Sequence, residues 1–117
     1  MSAHTRRKSR AAAERQHFAP IFAALGDETR LALIATLADG APRSIAQLTE
    51  GTRLTRQAVT KHLRVLEDVH IVHSVKSGRE SRYELDPAPL LDLKSYVELV
   101  STRWDAALGR LKTLVER

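Results

Sequence analysis

The sequence predicts a mostly α fold with one β-hairpin and a long terminal helix. Three observations carry that expectation. Two periodic apolar segments meet at a tight turn between Ser44 and Val69, a glycine-centred pair of extended runs follows, and from Ala88 onward apolar residues recur every three or four positions. At 117 residues and 13.1 kDa there is material for one domain with an appendage, not for two cores. Hydrophobic residues at 43% and charged residues at 28% are the proportions of a chain that folds. With five aromatic residues in all (Phe18, Phe22, Tyr83, Tyr96 and Trp104), the core has to be built from Leu, Ile, Val and Ala.

Whole classes of function fall away at once. The chain has no cysteine, which excludes disulfides, thiolate nucleophiles and thiolate metal sites. No apolar run approaches the roughly 20 residues of a membrane span, and the basic N-terminus lacks the apolar stretch of a signal peptide. A soluble, unexported protein acting in the cytoplasm, with no membrane partner, is the expectation. No nucleophile paired with a base, no phosphate loop and no metal cluster suggests an enzyme or a cofactor.

Taken in order, residues 1–16 hold five basic residues and one acidic, without apolar periodicity. They predict a disordered basic arm, able to follow a phosphate backbone or merely to solubilise the chain. Phe18 to Leu25, with Pro20 in its first turn, predicts a short helix stopped by Gly26 in a left-handed conformation. Asp27 is a good N-cap for a second helix with Leu31, Ile34, Leu37 and Ala38 on one buried face, ending at Asp39-Gly40. Ala41-Pro42-Arg43 breaks the chain. Ser44 caps a short helix carrying Ile45 and Leu48 before Gly51, and Thr55 caps a longer one from Arg56 to about Val69. Residues 44–69 thus form helix, turn, helix.

Charge concentrates in the same region. Residues 1–16 carry +4, 17–42 carry −2, 43–82 carry +4 with eight basic residues against four acidic, and 83–117 carry −1. A solvated helix face normally mixes signs, yet 53–64 holds Arg53, Arg56, Lys61 and Arg64 and no acid. That is the footprint expected for nucleic acid.

At 100° per residue with Arg56 at zero, Thr60, Arg64, Gln57 and Lys61 fall between about 40° and 140° on the second helix of the pair. Val65, Ala58, His62, Leu66, Val59 and Leu63 occupy the arc from about 180° to 340°. The first arc is chemically suited to DNA, since Gln pairs bidentately with adenine, Arg and Lys with guanine, and the Thr60 methyl can meet a thymine methyl. Its alternative is an exposed amphipathic helix. His62, on the inner arc, reads as a boundary residue that can also reach a phosphate from the edge. The candidate DNA-binding set on this element is therefore Thr55, Arg56, Gln57, Thr60, Lys61, His62 and Arg64.

Ile71-Val72 and Val75, then Tyr83 and Leu85, flank Ser77-Gly78-Arg79-Glu80 and predict a β-hairpin. Its tip and return strand carry Lys76, Arg79 and Arg82, placed for a minor groove or a phosphate. A hairpin after a helix-turn-helix is a wing, so residues 17–87 predict a winged helix-turn-helix unit. After Asp86-Pro87, residues 88–117 predict one helix whose Leu90, Leu93, Val97, Val100, Trp104, Ala107, Leu111 and Leu114 step by alternating threes and fours. The winged unit is too small to cover such a stripe. Leu90, Leu93, Val97, Val100, Trp104, Leu108 and Leu111 are accordingly expected at a homodimer interface, with folding back on the first helix as the alternative for the N-terminal half. Gly109 is expected to mark a bend or a close approach.

These residues resemble the ArsR-type winged-helix repressors of prokaryotes over about residues 18–115. Ala24-Leu25-Gly26-Asp27-Glu28-Thr29-Arg30-Leu31 looks like the family's opening signature, Ile45-Ala46-Gln47-Leu48 like its positioning helix, and Thr55 to Glu67 like its recognition helix. Gly78-Arg79 and Arg82-Tyr83-Glu84-Leu85 resemble its wing. The resemblance implies a homodimer with the long terminal helix at its interface, binding a double-stranded operator of inverted symmetry and blocking transcription. Two departures stand out. Val69-His70 replaces the usual Ala-Gly after the recognition helix, which implies a different cap or strain. The metal-sensing positions of many relatives are also missing: the positioning helix has no thiol and the terminal helix no His, and only His70 and His73 lie near each other. A regulator without a metal site, its effector unidentified, is the expectation; a protein-interaction module and a DNA-binding activator are the alternatives.

Overall fold

The computed structural model describes residues 2–116, so Met1 of the expected arm and Arg117 of the expected terminal helix lie outside the described residues. Five helices and three strands follow in the order α1 (Ala3–Leu25), α2 (Glu28–Leu37), β1 (Arg43–Ser44), α3 (Ile45–Thr49), α4 (Arg56–Asp68), β2 (Val72–Ser77), β3 (Glu80–Leu85) and α5 (Ala88–Val115). The mostly helical winged helix-turn-helix with a long terminal helix is the fold class the sequence predicts.

α1 departs from expectation at both ends. It begins at Ala3 rather than near Phe18, with the Ser2 hydroxyl accepting from the Thr5 amide at 3.2 Å. The supposed arm is helical because its Ala, Arg, Lys and Glu residues are strong helix formers, a local preference that apolar periodicity does not report. Pro20 therefore sits inside the helix, where its missing N–H leaves the Gln16 carbonyl without its usual donor. At the other end Gly26 keeps a negative φ of −78°, so the helix stops without a left-handed residue.

Asp27 caps α2 by accepting from the Arg30 amide at 3.0 Å. The buried pair on α2 is Leu33 and Leu37, while Leu31 is half exposed and Ala38 exposed. Of the expected face, Leu37 is buried and Ile34 packs against the core; the run Leu31 to Ile34 is apolar on every side, so spacing alone does not show that Leu33 and not Leu31 faces inward. Ser44 caps α3 through a full capping box with Gln47 and pairs with Arg82 across the sheet. This edge strand, absent from the sequence expectation, gives a sheet of order β1-β3-β2. Arg43 clamps it to α2, donating to Asp39 Oδ1 at 2.9 Å and Oδ2 at 2.6 Å and to the Thr36 carbonyl.

α4 buries Val59, Leu63 and Leu66 completely, against Leu48, Leu37, Ile21, Ala24, Ile71, Val72 and Leu93. It ends in a Schellman turn: the Ile71 amide donates to the Leu66 carbonyl at 3.0 Å and the His70 amide to that of Glu67 at 2.9 Å. His70 takes the left-handed position with φ 63°. The backbone thus keeps the turn that glycine would favour and carries its strain on an imidazole-bearing residue. Val72 to Ser77 pairs in register with Leu85 to Glu80, and Gly78 supplies the positive φ of 66° for the two-residue turn.

α5 starts after Pro87 at its N-cap, and the Asp86 carboxylate just before it accepts from the Ala88 amide at 3.0 Å. Leu93 is buried in the domain core and Leu90 packs against it, so these two expected interface residues are satisfied within the chain. Val97, Trp104, Leu108, Leu111 and Leu114 are exposed and Val100 is half-buried. α1 runs antiparallel beside α5, with the Phe18 ring stacked on Tyr96 at 4.4 Å. A side chain at Gly109 would meet nothing within 4 Å, so no close approach explains that glycine. No helix among the described residues is long and apolar enough to cross a membrane.

Candidate nucleic-acid interface

The exposed face of α4 begins with its cap. The Thr55 hydroxyl accepts from the Ala58 amide at 3.1 Å, which starts the helix and turns its first residues outward. Arg56, Gln57, Thr60, Lys61 and Arg64 then line one open surface groove of about 450 Å³ with Ile45 of α3 at its edge. Thr60 donates its hydroxyl to the Arg56 carbonyl at 2.7 Å, which commits its proton and leaves its methyl and its acceptor oxygen to offer a base. The buried residues Val59, Leu63 and Leu66 hold this face from behind, so the helix presents a rigid row of two forked donors, an amide and an ammonium.

His62 departs from that row. Its side chain is about a quarter exposed, with Nδ1 3.2 Å from an Arg30 guanidinium nitrogen and 3.6 Å from Asp27 Oδ2. The same guanidinium donates to the Ala24 carbonyl at 2.6 Å and to that of Ala23 at 3.3 Å. One arginine thus closes the end of α1, meets the cap of α2 and grips the middle of α4. The Arg30 amide, opposed by partial burial and helped by the Arg30 and His62 charges, holds the Asp27 carboxyl below its ordinary range. His62 is thus held by Arg30 and Asp27 at the boundary of the α4 face, in keeping with its inner angular position. In the sequence Asp27 reads as a cap and Arg30 only as part of the opening signature, because their common target lies 32 residues from Arg30.

The wing separates two residues that the sequence grouped. Register places Lys76 opposite Ser81 and Arg82 opposite Val75. Alternation along a strand then puts Lys76 on the Val72 face of the hairpin and Arg82 on the other. Arg82 also pairs with Glu80 at 3.3 Å. Lys76 and Arg79 are exposed, Arg79 at the tip, where nothing in the chain neutralises it among the described residues.

A helical core, a helix-turn-helix with its polar face outward and a hairpin wing together define a winged helix-turn-helix DNA-binding domain. Residues 25–75 match a family model described as a helix-turn-helix domain. The chain is 35% identical over 80 residues to the HTH-type transcriptional regulator Rv2034 of Mycobacterium tuberculosis, covering 68% of this chain and 74% of that one. It superposes on an ArsR-like transcriptional regulator from Rhodococcus sp. RHA1 with a TM-score of 0.81 and 36% identity, covering 90% of this chain and 95% of that one. A fold likeness extends to the homodimeric winged helix-turn-helix DNA-binding domain of Mb0332 from Mycobacterium bovis, at TM-score 0.63 and 22% identity over 80% of this chain and 85% of that one. The chain belongs to the ArsR-like winged helix-turn-helix transcriptional regulators.

Proposed function

We propose that this regulator is a cytoplasmic homodimeric repressor that reads an inverted-repeat operator with one α4 in each of two successive major grooves, and that it does so without a metal. The observation that carries the reading is the single polar face formed by Arg56, Gln57, Thr60, Lys61 and Arg64. Dimerisation is supported by the apolar stripe that continues along α5 past Leu93 without a cover, and by the homodimeric state named for the Mb0332 domain. Two such helices related by a twofold axis require half-sites centred about 10 bp apart or a multiple of it. Lys76 and Arg79 hold the flanking backbone.

Selection from random duplexes tests it. The wild-type chain is expected to return an inverted repeat, and Arg56→Ala or Gln57→Ala to relax particular base pairs by about 1–3 kcal/mol, whereas Arg79→Ala weakens all sequences alike. An unchanged consensus in both α4 variants overturns the assignment of the face. With no thiolate in the chain and no His on α5, zinc, cadmium or arsenite at stoichiometric concentration is expected to leave operator affinity unchanged. Release of the operator by any of them, followed by fluorescence anisotropy, would assign ligand roles to His70, His73 or nearby carboxylates.

A further inference from the structure

The N-terminal half of α1 is densely cationic and has no part in the reading above. Arg6, Arg7, Lys8, Arg10 and Arg15 stand there against Glu14 alone. No acidic residue lies in the first turn, so the arginines and lysine that follow face the positive end of the helix dipole without a counterweight. This half of the helix is exposed apart from Ala11, Ala12 and Glu14, which are partly covered.

Running antiparallel to α5 brings this basic segment beside a sixth cation. A groove of about 410 Å³ is lined by His4, Arg7, Lys8 and Arg10 from α1 and by Arg103 from α5, with Glu14 its one acid. Among the described residues, none of Arg7, Lys8, Arg10 and Arg103 forms an ion pair. Four guanidinium and ammonium groups gathered in one groove repel one another unless an anion lies between them. Ala11 is the one apolar residue of the lining, and the rest is long cationic side chains with His4 and Glu14, so charge dominates what the groove can recognise. An extended polyanion fits those terms. Arg103 lies about 100° around α5 from the centre of the Val97 to Leu111 stripe, on the flank of the stripe and not within it.

We infer that this groove is a second, sequence-independent phosphate site, in which the basic half of α1 and Arg103 hold the sugar-phosphate backbone of duplex DNA apart from the bases read by α4. The inference rests on DNA binding by α4. It adds a contact from the dimerisation helix that a free basic tail would not have.

The test measures affinity of the full chain for a fluorescein-labelled 30-bp duplex of mixed sequence across a potassium chloride series. Removing one phosphate-binding cation lowers the slope of log affinity against log salt by about 0.9. Arg103→Gln is expected to lower it by about one, and the triple change Arg7→Gln, Lys8→Gln, Arg10→Gln by about three. Lys94→Gln, on the opposite side of α5, is expected to keep the wild-type slope. Thermal melts and sedimentation confirm that each variant retains fold and assembly. An unchanged slope in Arg103→Gln overturns the groove even if the triple variant responds, and an equal fall in Lys94→Gln overturns it by making the effect one of net charge. A wild-type chain that binds no duplex overturns the α4 reading along with it, which separates the two failures.

Discussion

Leu93 and Trp104 occupy the same apolar stripe of α5, yet Leu93 is 8% exposed and Trp104 64%. The winged domain takes Leu93 into its core cluster, whereas farther along α5 the element beside it is α1, against the side that carries Ser95, Tyr96, Leu99 and Arg103 and not the stripe. One periodic signal therefore spans two kinds of burial. Threes and fours say that a helix face is apolar; they do not say whether the chain itself or a second chain covers it. The comparison also explains the N-terminal segment. The first half of α1 follows the exposed half of α5, so the region most remote from the core is a helical pair with cations in its groove instead of a loose tail.

The largest effect comes from separating the two halves by substitution. Leu93→Ala is expected to lower unfolding free energy by about 2–5 kcal/mol, read as a lower urea midpoint. Trp104→Glu should instead act on association, removing about 3–5 kcal/mol by leaving an unpaired charge at a buried interface. Sedimentation should then give monomers at concentrations where the wild type is paired, with helix content preserved and DNA affinity reduced. A dimeric Trp104→Glu protein breaks the comparison, and so does a wild type that sediments as a monomer.

A smaller effect is confined to the winged half. The left-handed conformation costs a residue such as His70 about 1–2 kcal/mol that glycine avoids, while glycine gives back part of that through a freer unfolded chain. His70→Gly is expected to raise stability by about 0.5–1 kcal/mol without changing association. An unchanged or lower urea midpoint would mean that the imidazole supports the turn.

The smallest effect is a pH dependence, also within the winged half. The hydrogen-bonded Arg43 guanidinium, with the Ala41 amide, lowers the Asp39 carboxyl from 3.8 to about 2. A carboxyl depressed in the folded state contributes stability above its unfolded value, and that contribution disappears as pH falls through the folded one. Wild type should therefore exceed Asp39→Asn in melting temperature above pH 4 and lose that margin by about pH 2, less visibly in high salt because the pair is exposed. Asp39→Asn should leave association at neutral pH unchanged, because Asp39 and Arg43 belong to the connection between α2 and β1 and not to the α5 stripe.

Most of the fold was legible because it rests on local chemistry. Asp27, Ser44 and Thr55 are side-chain caps that function within three residues, Gly78 supplies a turn angle, and the polar arc of α4 follows from spacing alone. The candidate interface inherits that legibility. Four features needed the tertiary structure. The edge strand β1 is two residues long and exists only through its pairing with β3. His62 turns inward because Arg30 and Asp27 converge on it from another helix. Lys76 and Arg82 part because the register of β2 on β3 decides which face each takes. The division of the α5 stripe at Val97 follows from where the winged domain ends. Capping, turn formation and amphipathicity are written within a few residues of one another and so can be read in order, whereas pairing, convergence and coverage join residues far apart in the chain and become definite only when the elements pack.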